Sequence, residues 1–264
     1  MPVTYQITAP ALVQFLGFSG DPEQAERFGS FEAAPGVPLP RVLREFLQTA
    51  AGNPLLHGLD LWTETRWYHT LYGEMDDQID ASLEDWVERP PALARDQSYF
   101  AYSQIPHPEW PKRLPDRLLI GGDDCGVVSY AIRLDALATD EPSVEWNRET
   151  EPLTEWHADW RLSDFLLASV CDALLGRPSE LAEDLLTESG WQFTWHQDGA
   201  KALDAFGLDP AQLHSFHSLY PRADGQETTL SCCIADGEVC LLETVGKRQA
   251  MLVVSRQLPS PPAP

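Results

Sequence analysis

Seven carboxylates lie between Glu74 and Glu88 with no base among them: Glu74, Asp76, Asp77, Asp80, Glu84, Asp85 and Glu88. Met75, Ile79, Leu83, Trp86 and Val87 recur between them at three-to-four spacing, which predicts an amphipathic helix with the acids on its other faces. Like charges four apart (Asp76 with Asp80, Asp80 with Glu84, Glu84 with Glu88) each cost an isolated helix about 0.2–0.5 kcal/mol. A face that tolerates this cost suits a basic protein partner, with an ordinary solvated face as the plain alternative. Two further acids, Asp123 and Asp124, fall in the turn Gly121-Gly122-Asp123-Asp124-Cys125-Gly126. This turn lacks the lysine of a phosphate loop, and its aspartates would repel a phosphate. Hard-cation ligation by the two acids has no D-x-D-x-D-G spacing behind it.

Other chemistry finds less support. His214 and His217 are three apart on an expected helix, a zinc-compatible spacing without an evident third ligand, so packing or surface roles are preferred. His57, His69, His107, His157 and His196 are isolated, and no G-x-S-x-G nucleophile elbow occurs. The cysteines, Cys125, Cys171, Cys232, Cys233 and Cys240, are odd in number and have no C-x-x-C spacing. Neither a disulfide framework nor a structural zinc site is expected, and reduced thiols in a cytoplasm fit.

The 264 residues carry 41 acids against 18 bases, a formal net charge of −23. Such a chain repels nucleic acid and anionic membrane and attracts a basic partner. Apolar content of 43%, including ten Phe and nine Trp, is enough for a real core. No basic start followed by an apolar run is present, and no apolar stretch is long enough to span a bilayer.

The elements that must position these residues are legible in part. Leu118 to Ile120, the glycine turn, and the alternation Val128, Tyr130, Ile132, Leu134 read as a hairpin at the centre of a sheet. Leu39-Pro40 opens a helix with the apolar stripe Val42, Leu43, Phe46, Leu47 and Ala50. Val144-Glu145-Trp146 is a short strand, and Ser163 is placed as the N-cap of a helix carrying Phe165, Leu166, Val170 and Leu174. Trp191 to Trp195 reads as a strand, and Asp209-Pro210 as the start of a helix reaching His217. Runs Thr228–Ile234, Glu238–Thr244 and Ala250–Arg256, joined by short turns, make an antiparallel meander.

The order of Leu39-Pro40, Leu118-Leu119-Ile120-Gly121-Gly122-Asp123, Val128-Ser129-Tyr130-Ala131-Ile132, Pro142-Ser143-Val144-Glu145-Trp146 and Ser163-Asp164-Phe165-Leu166 resembles the SUKH superfamily over residues 39–176. That group includes yeast regulators of cell-wall synthesis and bacterial immunity proteins. The resemblance implies an α+β domain with a mostly antiparallel sheet and flanking helices, and a non-catalytic protein that neutralises a toxin, often a nuclease or nucleic-acid deaminase.

The expectation is therefore an α+β chain. Residues 1–38 form an arm, 39–177 a SUKH-like domain, 178–258 a smaller α+β module and 259–264 a disordered tail. Its expected task is immunity: Asp76, Asp77, Asp80, Glu84, Glu88, Asp123 and Asp124 contact the toxin's basic groove, with no cofactor, metal or catalytic residue. A regulatory or scaffolding interaction module is the alternative, and a metal-dependent hydrolase using the scattered acids is the third.

Overall fold

The computed structural model describes residues 3–17, 32–34, 37–50, 61–67, 117–122, 128–148, 156–175, 186–219 and 227–256. In chain order the elements are α1 (Ala9–Phe15), β1 (Glu32–Ala34), β2 (Val37–Pro38), α2 (Arg41–Ala50), β3 (Leu61–Trp67), β4 (Arg117–Gly122), β5 (Val128–Arg133), β6 (Ser143–Arg148), β7 (His157–Arg161) and α3 (Leu162–Leu174). They continue with β8 (Trp191–His196), α4 (Gly199–Ala205), β9 (Ser215–His217), β10 (Thr228–Ala235), β11 (Glu238–Val245) and β12 (Arg248–Arg256). Helices and antiparallel sheets together make an α+β fold.

Two compact units divide the chain. The first gathers Met1–Glu26, Glu45–Leu59 and Ser163–Pro264; the second gathers Arg27–Arg44 and Asp60–Leu162. These differ from the expected divisions after residues 38 and 177. The reason lies in two pairings inside the first unit. Cys171 of α3 lies beside Cys232 of β10, near enough that, after burial, Cys232 raises the Cys171 pKa. Thr4 adds to the same strand through Thr4 N–Ile234 O at 2.8 Å and Ile234 N–Thr4 O at 3.1 Å.

The first unit is built on a sheet of order β8-β12-β11-β10-β9, antiparallel at every step and without a register shift. Its β10–β11 turn is Asp236-Gly237, both at positive φ (52° and 85°), as a tight two-residue hairpin requires. Because side chains alternate, one face carries Cys233, Ala235, Cys240, Leu242, Met251 and Val253, which pack with Ala202, Leu203 and Leu208 from α4 and the turn after it. On the other face Leu230, Cys232, Val239, Leu241, Leu252 and Val254 are buried as well. The meander strands are thus apolar on both sides, as covered strands must be.

Helix α3 is buried nearly all round, so its polar residues need partners. Ser169 Oγ donates back to the Phe165 carbonyl at 2.9 Å. Asp172, 1% exposed, accepts from Ser218 Oγ and from the Leu219 amide, both at 2.8 Å. This carboxylate fastens the chain just after β9. The helix begins at Leu162, so Ser163 lies within its first turn and is not the N-cap expected from sequence.

In the second unit the sheet order is β3-β4-β5-β6-β7, with β1 and β2 as a separate two-stranded ribbon. The β4–β5 hairpin is central, as its sequence predicts. Tyr130, Ala131, Ile132 and Val144 are buried, and Tyr130 meets Trp160 edge-on at 6.0 Å. Register shifts interrupt β3–β4, β4–β5 and β6–β7.

Candidate interaction surface

The residues expected to touch a partner, Asp76, Asp77, Asp80, Glu84, Glu88, Asp123 and Asp124, lie outside the described residues. Among the described carboxylates, local duties dominate. Asp135 forms a two-pronged pair with Arg133 (3.0 and 2.7 Å), which raises the guanidinium pKa, and Asp140 meets Arg41 at 3.5 Å. Asp159 accepts from the Trp146 indole, and Asp209 caps the turn at Pro210 by accepting from the Ala211 amide.

His214 and His217 do not share a helix. A 3₁₀ turn spans Pro210–Gln212 and the chain then extends into β9, which pairs with Thr229–Ser231. His214 Nε2 instead lies 2.7 Å from Asp164 Oδ1. Ser215 points away, its hydroxyl sharing a 2.8 Å hydrogen bond with Ser231 Oγ. The pair orients an imidazole, but no nucleophile is bonded to it among the described residues.

The surface that stands out is β8, the sequence Trp191-Gln192-Phe193-Thr194-Trp195-His196. Aromatic residues alternating with Gln, Thr and His give it strong strand preference and no formal charge at pH 7. Six rungs from Met251↔His196 to Arg256↔Trp191 join it to β12 on one side. On its other side no strand pairs with it among the described residues. Trp191 anchors the strand: its indole donates to the Leu16 carbonyl at 3.1 Å, its ring lies 5.9 Å from Phe15, and the Arg256 guanidinium sits 5.1 Å above it. Trp195, at the far end, is 44% exposed, an unusual state for a large apolar ring.

After His196 the chain leaves β12 and enters α4. Asp198 caps this helix by accepting from the Lys201 amide at 3.1 Å and pairs with Lys201 Nζ at 3.0 Å. The backbone hydrogen bond first, then the side-chain one, hold its carboxyl below the usual range. Gly199 is needed here because a Cβ would come within 2.9 Å of Gln249 Cβ. A cleft of about 560 Å³ opens at this divergence, lined among others by Gln197, Asp198, Glu243, Lys247 and Arg248. Glu243 is only 6% exposed, whereas Lys247 and Arg248 reach solvent.

Together β8 and the cleft at its end offer backbone hydrogen-bonding groups, one exposed indole and a polar recess. This is the equipment for adding an extended peptide to a sheet edge. Sequence reading found the strand but not its edge position, which depends on β12 arriving beside it.

No protein-family model matches the chain, and no curated protein or solved structure matches it significantly. No described helix is long and apolar enough to cross a membrane.

Proposed function

We propose that this chain is a non-catalytic immunity protein that captures a basic toxin, of the nuclease or nucleic-acid deaminase class, through an extended segment of that partner added to β8. The β8 edge, uncharged and without a second paired strand among the described residues, and its exposed Trp195, in a chain of net charge −23, carry the reading. Backbone pairing along six residues supplies register, and Trp195 supplies the desolvated anchor that interfaces favour. The overall charge selects a cationic partner and speeds its approach. The SUKH-like order of motifs across residues 39–176 points to the same class of work.

Co-expression with a nuclease- or deaminase-type toxin encoded beside this chain's gene tests this. The expected result is suppressed toxicity and a stable complex, with Thr194→Lys weakening the complex at least about tenfold by adding a cation at the edge. Unchanged toxicity would remove the immunity reading. Full protection by a folded Thr194→Lys protein would remove β8 from the interface.

A further inference from the structure

We propose that Cys233 and Cys240 form a reversible dithiol–disulfide site within the β10–β11 hairpin. The two residues are directly opposite in the antiparallel register. Only two rungs, Ile234↔Val239 and Ala235↔Glu238, separate them from the Asp236-Gly237 turn. Opposed residues in an antiparallel pair have Cα atoms about 4.5–5.5 Å apart, inside the roughly 4.4–6.8 Å that a disulfide spans. Because Ile234 spends its N–H and C=O on Thr4, Cys233↔Cys240 is a hydrogen-bonded pair, at the wide end of the first of these ranges, and bridging asks only that the two Cβ atoms close by about 1 Å.

Local chemistry agrees with the geometry. Facing each other, the two thiols influence each other's ionisation: the interaction with Cys240 lowers the Cys233 pKa, and the same interaction, with burial, raises that of Cys240. Cys233 is thus the better thiolate and Cys240 the proton-bearing partner. With a peroxide as oxidant, the Cys233 thiolate attacks one peroxide oxygen and becomes a sulfenic acid, releasing hydroxide. The Cys240 sulfur then displaces the sulfenic oxygen, forming the S–S bond. Both thiol protons end in water, so two thiols and one hydrogen peroxide give one disulfide and two waters. An external dithiol reverses the bond by exchange.

Both thiols are nearly buried, at 1% and 2% exposure, so oxidant must enter by local opening. The hairpin end provides the route. What holds it shut is the Thr4–Ile234 bridge, one rung from Cys233, and the packing of Val3 and Tyr5 on the cluster that contains both cysteines. Cys171 and Cys232 are an internal contrast. They too are neighbours, but Cys171 sits in α3, and burial first of all pushes its thiol pKa well up. A site at the end of a hairpin reacts; one under a buried helix does not.

The test is full-length native protein exposed to hydrogen peroxide, then alkylated and mapped by mass spectrometry. The expected product is a Cys233–Cys240 linked peptide, lost on treatment with dithiothreitol, forming at least about tenfold faster than any modification of Cys171. Cys125→Ser removes the thiol outside the described residues as a competitor, and the linkage persists in it. Cys240→Ser stops at a Cys233 sulfenic acid, trapped by a dione reagent. A different linkage, such as Cys171–Cys232, or retention of both thiols while unfolded chain oxidises, would overturn the proposal. The wild-type measurement alone decides, whatever the variants' folding.

Discussion

Edge strand β7 of the second sheet and edge strand β8 of the first differ in what they offer a further strand. In the second unit, edge strand β7 carries His157, Asp159 and Arg161, all exposed, and a register shift separates it from a regular ladder with β6. Charge and irregularity both discourage a further strand. In the first unit one edge is β9, three residues long, and β10 beyond it is bridged by Thr4. Those are protections of the same kind. The remaining edge, β8, has six uncharged residues, an unbroken ladder to β12 and an exposed indole. Among the described residues β8 thus lacks the charge of β7 and the shortness of β9, and the strand addition proposed above is the use that its chemistry fits.

Regularity separates the sheets as well, and the largest predicted effect turns on it. Leu252, at 0% exposure, sits amid unshifted ladders on both sides, whereas Ile132, also 0%, lies beside a register shift in β4. Large-to-small changes cost about 2–5 kcal/mol, and the value depends on how well neighbours close the cavity. Leu252→Ala is expected near the top of that range and Ile132→Ala near the bottom. Hydrogen exchange of the amides in each sheet measures the two separately. Equal losses would mean that the register shifts give the second sheet no slack.

A smaller loss is expected at Asp172. Its carboxylate satisfies the Ser218 hydroxyl and the Leu219 amide in a buried setting. Asp172→Ala leaves both donors without that acceptor, at about 1.5–3 kcal/mol. Because Ser218 follows β9, protection should fall first at the β9 edge and not at β8. Uniform loss across the sheet would show that the β9 edge is not separately fastened.

The meander was legible because its signals are local. Apolar runs of strand length and an Asp-Gly turn at Asp236-Gly237 specify two hairpins without help from elsewhere. Strand β7 was not legible: of His157–Arg161 only Trp160 is buried, so no apolar alternation exists to read. Helix α4 carries little sequence signal because Gly199-Ala200-Lys201 is a weak start, although Asp198 is a sound capping residue. At Asp209-Pro210 the start signal is real, but pairing of Ser215–His217 with β10 overrides continuation into a helix. The acidic residues expected to meet a partner lie outside the described residues, and the edge that replaces them here is a property of strand order. Strand order depends on which distant segments meet, and single-strand patterns carry little of it.

The smallest expected effect sharpens the contrast between two exposed ion pairs, Asp198–Lys201 in the first unit and Asp135–Arg133 in the second. Asp198 differs in also accepting a backbone amide at a helix start, and its carboxyl is held below the ordinary range. A depressed folded-state pKa contributes stability that is present above the unfolded value, about 4 for Asp, and is lost as pH falls through the folded value. Stability of the first unit should therefore decline on acidification through that window. Asn caps helices about as well as Asp but does not titrate there. Asp198→Asn is thus expected to leave neutral-pH stability nearly unchanged and to flatten the acid slope of the urea midpoint. Asp135→Asn, which removes a charge without removing a cap, serves as the comparison. An unaltered acid slope in Asp198→Asn would mean that the charge at this cap adds nothing, and that the hydrogen bond from the Lys201 amide is the whole of its contribution.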